Sequence, residues 1–416
     1  MAAVLAARPQ RSTSRRGVAV SAREGTARGD APARVRAVGS DASVGVARLR
    51  QVVDAFPRRG YVQEPTPVQA MPRLREHCAL HSPSLLVKRD DFLPLLGGGN
   101  KTRKLDYVVQ DAMDKGCDAL VTSGAVQSNH CRLTAAAAAM EGMDCHLVVE
   151  ERVPNSYAAA AGGNNYLFGL LGVQSIRHVA LGETDEAVEA LSDRLEALGL
   201  APYVIPGGAS NDLGALGYCR MALEIIDEHG LDAFDAIVVC SGSGGTHTGL
   251  LTGLRAAGDT TNVIGVSVRG PADAQAAKIL AMCHALEDAR FRGITDDSED
   301  GSGSGQDGSA GSYLVGPEDV VVIDDYVGPG YSLNTEAQAI AIQLFARRES
   351  ILLDPVYTGK TAACFLDIAR SGEYGAEQKL LFVHTGGAPA LYHYKTTATE
   401  FTGGRAEMDR VKDPAA

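Results

Sequence analysis

The chain repeats one local pattern. A short apolar run ends abruptly in glycine, serine and asparagine, and a helical stretch follows. Residues 118–122 read DALVT, an uninterrupted buried-strand pattern that breaks into Ser123-Gly124-Ala125-Val126-Gln127-Ser128-Asn129-His130. An alanine-rich helix is expected over about 131–140 and a strand over 145–150 (CHLVVE). Residues 203–206 lead in the same way into Gly207-Gly208-Ala209-Ser210-Asn211 and a helix over 217–229. Residues 235–240 (DAIVVC) lead into Ser241-Gly242-Ser243-Gly244-Gly245-Thr246-His247 and a helix over 248–257. Strand, polar loop, helix and strand in that order build βαβ units on a parallel sheet. Ligands of such sheets sit beyond the carboxyl ends of the strands, so these loops are where function should be sought.

Further strands are expected over 85–87, 263–268, 320–323 and 380–383, with helices over 184–198, Thr184 as N-cap, and over 335–347. Residues 294–312 are almost all Asp, Gly and Ser and read as a flexible acidic surface insertion without EF-hand spacing. The polar tail, 403–416, reads as frayed. Residues 1–45 are rich in Arg, Ala and Ser and poor in acids up to Ser40, the composition of an organelle transit peptide. A chloroplast or mitochondrial address is therefore expected, and composition does not separate the two.

Bulk numbers exclude several classes. With 416 residues and a net charge of -12, the chain can bury a core but lacks the basic balance of a nucleic-acid binder. No apolar run approaches the ~18 residues of a membrane span. The eight cysteines are scattered singly, with no metal-type spacing, and read as free thiols. No metal is expected.

Two loops carry chemistry. Gly97-Gly98-Gly99-Asn100-Lys101 delivers a lysine from a glycine turn; Asn100 breaks the Walker pattern, which leaves a Schiff-base lysine or a surface cation. The loop 241–246 ahead of a helix is an anion nest, because glycines let backbone N–H groups converge at a helix N-terminus. It is neither GxGxxG nor Walker A, and a monophosphate ester suits it. A lysine plus a monophosphate site suggests pyridoxal 5'-phosphate.

From about residue 65 to 394 the ordered motifs GGGNKTRKLDY, GAVQSNH, PYVIPGG with LGALGY, CSGSGGTHTGL, DDYVGPGY, LLDPVYTGK and HTGGAPAL resemble the D-cysteine desulfhydrase / 1-aminocyclopropane-1-carboxylate (ACC) deaminase family. The resemblance implies a fold-type II, tryptophan-synthase-β-like α/β architecture: two three-layer domains with mainly parallel sheets. A small domain over 104–214 would be inserted into a large one formed by 46–103 and 215–400. It implies that Lys101 holds the cofactor and that Asn129 bonds the ring hydroxyl. Gln127, Ser128 and Asn129 would meet the substrate carboxylate, with Ser128 also close to the chemistry. Ser243, Gly244, Gly245 and Thr246 would hold the phosphate. Tyr326 and Tyr357 would assist proton transfer, and Thr358 and Thr385 would lie near the pyridine nitrogen. ACC deaminases typically carry Glu and Leu at the last two positions, so the threonines and His130 lean towards D-cysteine desulfhydrase. The resemblance further implies an amino-acid substrate, no nucleic-acid or membrane partner, and a homodimer. ACC deamination and a catalytically silent homologue are the alternative readings.

Overall fold

The computed structural model of the protein describes residues 41–78, 81–158, 161–292 and 313–394. Residues 1–40 of the expected leader, the acidic insertion and the tail lie outside them.

The first elements are α1 (Asp41–Asp54), β1 (Val68–Ala70), α2 (Pro72–Cys78), β2 (Ser84–Lys88) and α3 (Lys101–Asp114). Next come β3 (Ala119–Ala125), α4 (Asn129–Glu141), β4 (Asp144–Glu151), α5 (Asn164–Leu170), β5 (Ser175–Ala180), α6 (Thr184–Ala197) and β6 (Pro202–Ile205). The chain continues through α7 (Asp212–His229), β7 (Ala236–Ser241), α8 (Gly245–Ala256), β8 (Asn262–Ser267) and α9 (Ala272–Leu286). After the insertion follow β9 (Val321–Ile323), α10 (Glu336–Glu349), α11 (Thr358–Arg370), β10 (Lys379–Val383) and α12 (Ala388–Leu391).

Two sheets result. One has the order β5-β4-β3-β6 and is parallel throughout. The other has the order β1-β2-β10-β7-β8-β9 and is parallel except where edge strand β1 runs against β2. The architecture is thus α/β with mainly parallel sheets. Every residue of β7 is buried, as a strand covered by helices on both faces requires.

Several boundaries differ from the sequence reading, for local reasons. A helix already begins at Asp41, within the span read as leader, because Leu49, Val52 and Val53 give α1 an apolar stripe that is fully buried. Helix α6 is capped at Glu183, and Thr184 is instead its first residue, with its hydroxyl donated to Glu150 Oε1 at 3.0 Å. Helix α7 starts at Asp212, five residues before the expected 217, because the Asn211 side chain accepts the Gly214 N–H at 2.9 Å and caps it there. Helices α7 and α8 touch backbone to backbone: a Cβ on Gly249 would stand 2.1 Å from the Ala215 carbonyl oxygen.

A buried polar network anchors α3. The Arg103 guanidinium donates to both oxygens of Asp90 at 2.9 Å and to Glu224 at 2.6 and 2.9 Å. Tyr218 donates to Asp90 at 2.6 Å, and Thr66 does so at 2.8 Å. Asp90 is fully buried, and the two cations Arg103 and Lys88 together with these donors hold its carboxyl below the usual range against the opposing cost of burial. Every carboxylate oxygen is satisfied, which is what lets a buried ion pair stand. The network fixes α3, and therefore Lys101 one half-turn earlier, to β2 and α7.

Candidate active site

One cavity collects the carboxyl-end loops of both sheets. It is lined from the smaller sheet by Ser123 near the end of β3, Ser128 and Asn129 after it, Arg152 after β4 and Gly208 with Ser210 after β6. The larger sheet contributes Ser243 and Thr246 after β7, Arg269 after β8 and Thr385 after β10. Lys101 stands among them at the start of α3. This is the placement that a parallel α/β topology gives to a ligand.

Lys101 Nζ donates to Asn100 Oδ1 at 3.0 Å, and Asn100 Nδ2 donates to Thr246 Oγ1 at 2.9 Å. Asn100 therefore ties the lysine to the anion loop. Burial pushes the Lys101 amine down to about 8, opposed by the acidic groups Cys240 and Asp354 and assisted by the Arg132 charge. A lysine brought down this far carries a substantial neutral, nucleophilic fraction near neutral pH.

The anion loop has a component that motif reading missed. Lys104, fully buried one turn after Lys101, donates to the Gly208 carbonyl and to Ser210 Oγ, both at 3.2 Å. Ser210 Oγ donates to Ser243 Oγ at 2.7 Å and accepts the Gly245 N–H at 3.3 Å. A Cβ on Gly245 would lie 2.9 Å from Lys104 Nζ, so only glycine lets a ligand reach both the helix N-terminus and the cation. No ion pair joins Lys104 to a carboxylate among the described residues. Burial, with the charges of Lys101 and Lys278, pushes the Lys104 amine well down, and a phosphate monoester at the adjoining helix N-terminus would supply the counter-charge that restores its proton. The signal in the sequence was the i, i+3 spacing of Lys101 and Lys104, which puts both amines on one side of α3.

On the opposite wall, Ser128 caps α4, accepting the Cys131 N–H at 3.1 Å, and still lines the cavity. Asn129 Oδ1 accepts from Asn164 Nδ2 at 2.7 Å. Gln127 does not line this cavity. Its amide is spent on the 162–164 segment, donating to Gly162 O at 3.0 Å and accepting the Asn164 N–H at 2.9 Å. The expected contact of Gln127 with a substrate carboxylate is thus replaced by a supporting role for Asn129. His130 Nε2 bonds the Thr122 hydroxyl at 2.8 Å. Burial, with Lys101 and Lys104 nearby, holds its imidazole neutral.

The tyrosines require a correction. Tyr357 lines the cavity, but Tyr326 does not: its hydroxyl donates to Asp367 on α11 at 2.7 Å and its ring packs on the core beneath α10 and α11. The second aromatic of DDYVGPGY, Tyr331, takes the place expected of Tyr326. The turn at Gly328-Pro329-Gly330 carries it into the cavity, where its hydroxyl lies 2.5 Å from that of Tyr357. Buried Lys360 pins that turn by donating to Val327 O at 2.7 Å and Gly330 O at 2.8 Å. The two threonines also part company. Thr385 lines the cavity, whereas Thr358 is fully buried and bonds Asp354 Oδ1 at 2.8 Å. Asp354 in turn accepts the N–H groups of Val356, Tyr357 and Thr358 at 2.9 Å each, fixing the first turn of α11.

A lysine at the mouth of a phosphate nest, between the strand ends of two parallel sheets, defines a pyridoxal-phosphate enzyme. The chain belongs to that family: residues 61–386 match the model of the pyridoxal-phosphate dependent enzymes. More narrowly, it is 39% identical over 348 residues to D-cysteine desulfhydrase of Yersinia enterocolitica, covering 83% of this chain and 98% of that one. To D-cysteine desulfhydrase of Salmonella typhimurium it is 38% identical over 341 residues, covering 82% and 96%. A solved structure described as an ACC deaminase homologue superposes with a TM-score of 0.71 at 31% identity, covering 84% of this chain and 98% of that one.

Proposed function

We propose that the protein catalyses β-elimination of D-cysteine to pyruvate, hydrogen sulfide and ammonia, as a pyridoxal-phosphate-dependent carbon–sulfur lyase. The observation that carries this reading is Lys101: an amine brought down to about 8, standing where both sheets aim their loops. The similarity to curated D-cysteine desulfhydrases over most of both chains supports it.

Lys101 would hold the cofactor and Asn129 would face its ring. Lys104, Ser210, Ser243 and the N–H groups at the start of α8 would hold its phosphate. When bound, the cofactor supplies the electron sink for the pair left at the substrate Cα. The α-carboxylate would sit at the N-terminus of α4, where Ser128 and Asn129 present donors. The Lys101 amine, neutral near its lowered pKa, takes the Cα proton. The hydroxyls of Tyr331 and Tyr357 lie within hydrogen-bond reach of each other, burial pushes both up so that they stay protonated, and one of them supplies a proton to the departing sulfur. Neutral Thr385 on the wall suits elimination at Cβ, which asks less of the ring than opening a cyclopropane.

The reading is tested by measuring pyruvate and sulfide release from D-cysteine, L-cysteine and ACC side by side. Release from D-cysteine alone supports it. Formation of 2-oxobutyrate from ACC, which the ACC deaminase homologue structure makes the second reading, would move the protein to the other branch. No product from any of the three would favour a silent homologue. We also infer that the residues ahead of α1, 1–40, act as an organelle leader, on their Arg, Ala and Ser content, and, on the family resemblance, that the enzyme works as a homodimer. A fluorescent fusion to those residues and sedimentation of the purified protein test these two points.

A further inference from the structure

The proposed reaction brings two anionic groups into the cavity, a phosphate and a carboxylate, while more than two cationic side chains line it. The phosphate nest has Lys104, and the α-carboxylate has the N-terminus of α4. Three more cationic side chains line the same cavity: Arg152 beyond β4, Arg269 beyond β8 and Lys278 on α9. No aspartate or glutamate lines it among the described residues. Arg152 leans on Glu150 at 2.5 Å, yet its guanidinium still lies 4.9 Å from the centre of the Tyr331 ring, beside the tyrosine pair to which the reading above gives the leaving-group proton. Arg269 and Lys278 form no ion pair among the described residues. Burial, with the charges of Arg269 and Arg152, pushes the Lys278 amine down to about 8, and Lys278 also bears on Lys104 of the phosphate nest, so it stands between that nest and the two arginines. Mutually repelling cations at a cavity wall are stabilised by an anionic occupant. The thiol of D-cysteine, small and largely uncharged at neutral pH, does not require them.

We propose that Arg152, Arg269 and Lys278 form a third-anion subsite, and that the protein eliminates an oxyanion from the β-carbon of D-amino acids such as O-phospho-D-serine. This rests on the elimination reading above and names a second substrate class for the same site. The step balances. Lys101 removes the Cα proton, and the Cβ–O bond breaks with its electron pair on the phosphate oxygen. The aminoacrylate that forms takes up one water, giving pyruvate, ammonium and hydrogen phosphate. No oxidant or reductant is consumed. The subsite neutralises charge on the leaving oxygen, so the Tyr331–Tyr357 pair need not donate a full proton to it.

The test follows pyruvate release by the holoenzyme from O-phospho-D-serine, D-serine and β-chloro-D-alanine, for the native chain and for Arg152→Gln, Arg269→Gln and Lys278→Gln. Cofactor content is measured by absorbance in each case. The native protein should prefer O-phospho-D-serine over D-serine by at least about a hundredfold in kcat/KM. Arg152→Gln should lower the ratio of O-phospho-D-serine to β-chloro-D-alanine turnover about tenfold or more, through KM, with cofactor retained. Equal losses on both substrates, or loss of cofactor in parallel, would mean that the cations serve the cofactor or the fold, and would overturn the subsite. Should neither β-chloro-D-alanine nor D-cysteine be turned over, the elimination reading has failed and the proposed activity with it. Calorimetric titration of the holoenzyme with O-phospho-D-serine then still decides the subsite. Binding weakened about tenfold by Arg152→Gln sustains it; binding no tighter than that of D-serine removes it.

Discussion

Single side chains decide the chemistry, and their states can be measured. Because burial brings Lys101 to about 8, its ability to take up pyridoxal phosphate in the apoprotein should rise with pH and level off above about 8. An ordinary lysine, charged until about 10.4, would keep accelerating beyond that point. Lys101→Ala should abolish both the visible cofactor band and turnover. Tyr331→Phe should lower kcat about 10²-fold or more, as loss of a positioned proton donor does, whereas Tyr326→Phe should stay within about threefold of the native rate because its hydroxyl serves Asp367. Lys101 was legible from its glycine turn, and Ser128, Asn129, Ser243 and Thr246 from loops that end apolar runs. Tyr331 was not, because DDYVGPGY contains two tyrosines and only the Gly-Pro-Gly turn, pinned by Lys360, decides which one enters the cavity. Thr358 misled for a related reason: the residue beside Tyr357 points to the buried Asp354, which nothing in the local pattern announces.

At the scale of elements, the site depends on how firmly α3 is held. Arg103→Ala would leave Asp90 buried beside Lys88 and two hydroxyl donors but without its main counter-charge, at a cost of about 3–5 kcal/mol. Chemical denaturation should read that loss as a lower midpoint. Gly249→Ala tests packing with an inverted sign. Gly to Ala within a helix ordinarily stabilises by about 0.5–1 kcal/mol, but here the new Cβ meets the Ala215 carbonyl and the Tyr218 Cβ. The variant should lose about 1–3 kcal/mol, as overpacked cores do. The largely buried strands β3, β4, β7 and β8 announced themselves as short apolar runs. The starts of α7 and α8 did not, because glycines and an asparagine cap lie where periodicity is read. Helix α9 and strand β5 were not anticipated: α9 is apolar on more than one face, and β5 alternates in a stretch of only six residues.

Across the whole molecule, cofactor and fold support each other, since the phosphate and the ring would bridge loops carried by different sheets. Removing pyridoxal phosphate should lower the thermal midpoint, and saturating it should restore about 2.7 kcal/mol at a hundred times its dissociation constant. The mainly parallel topology of the sheets was readable because it repeats; the antiparallel edge strand β1 and the order of the strands were not, since they depend on contacts between residues far apart in the chain. All eight cysteines are free thiols, and six of them, Cys131, Cys145, Cys219, Cys240, Cys283 and Cys364, are buried. Burial holds every one of these six above the ordinary thiol range, Cys240 on the cavity wall to about 12. Sulfur exchange needs a thiolate that a reagent can reach. An enzyme that liberates sulfide therefore keeps its cavity thiol out of reach of the polysulfide that forms when that sulfide is oxidised. Mass spectrometry of the native protein after exposure to polysulfide should find added sulfur on the half-buried Cys78 and Cys117 and none on Cys240, at the place where sulfide would be made.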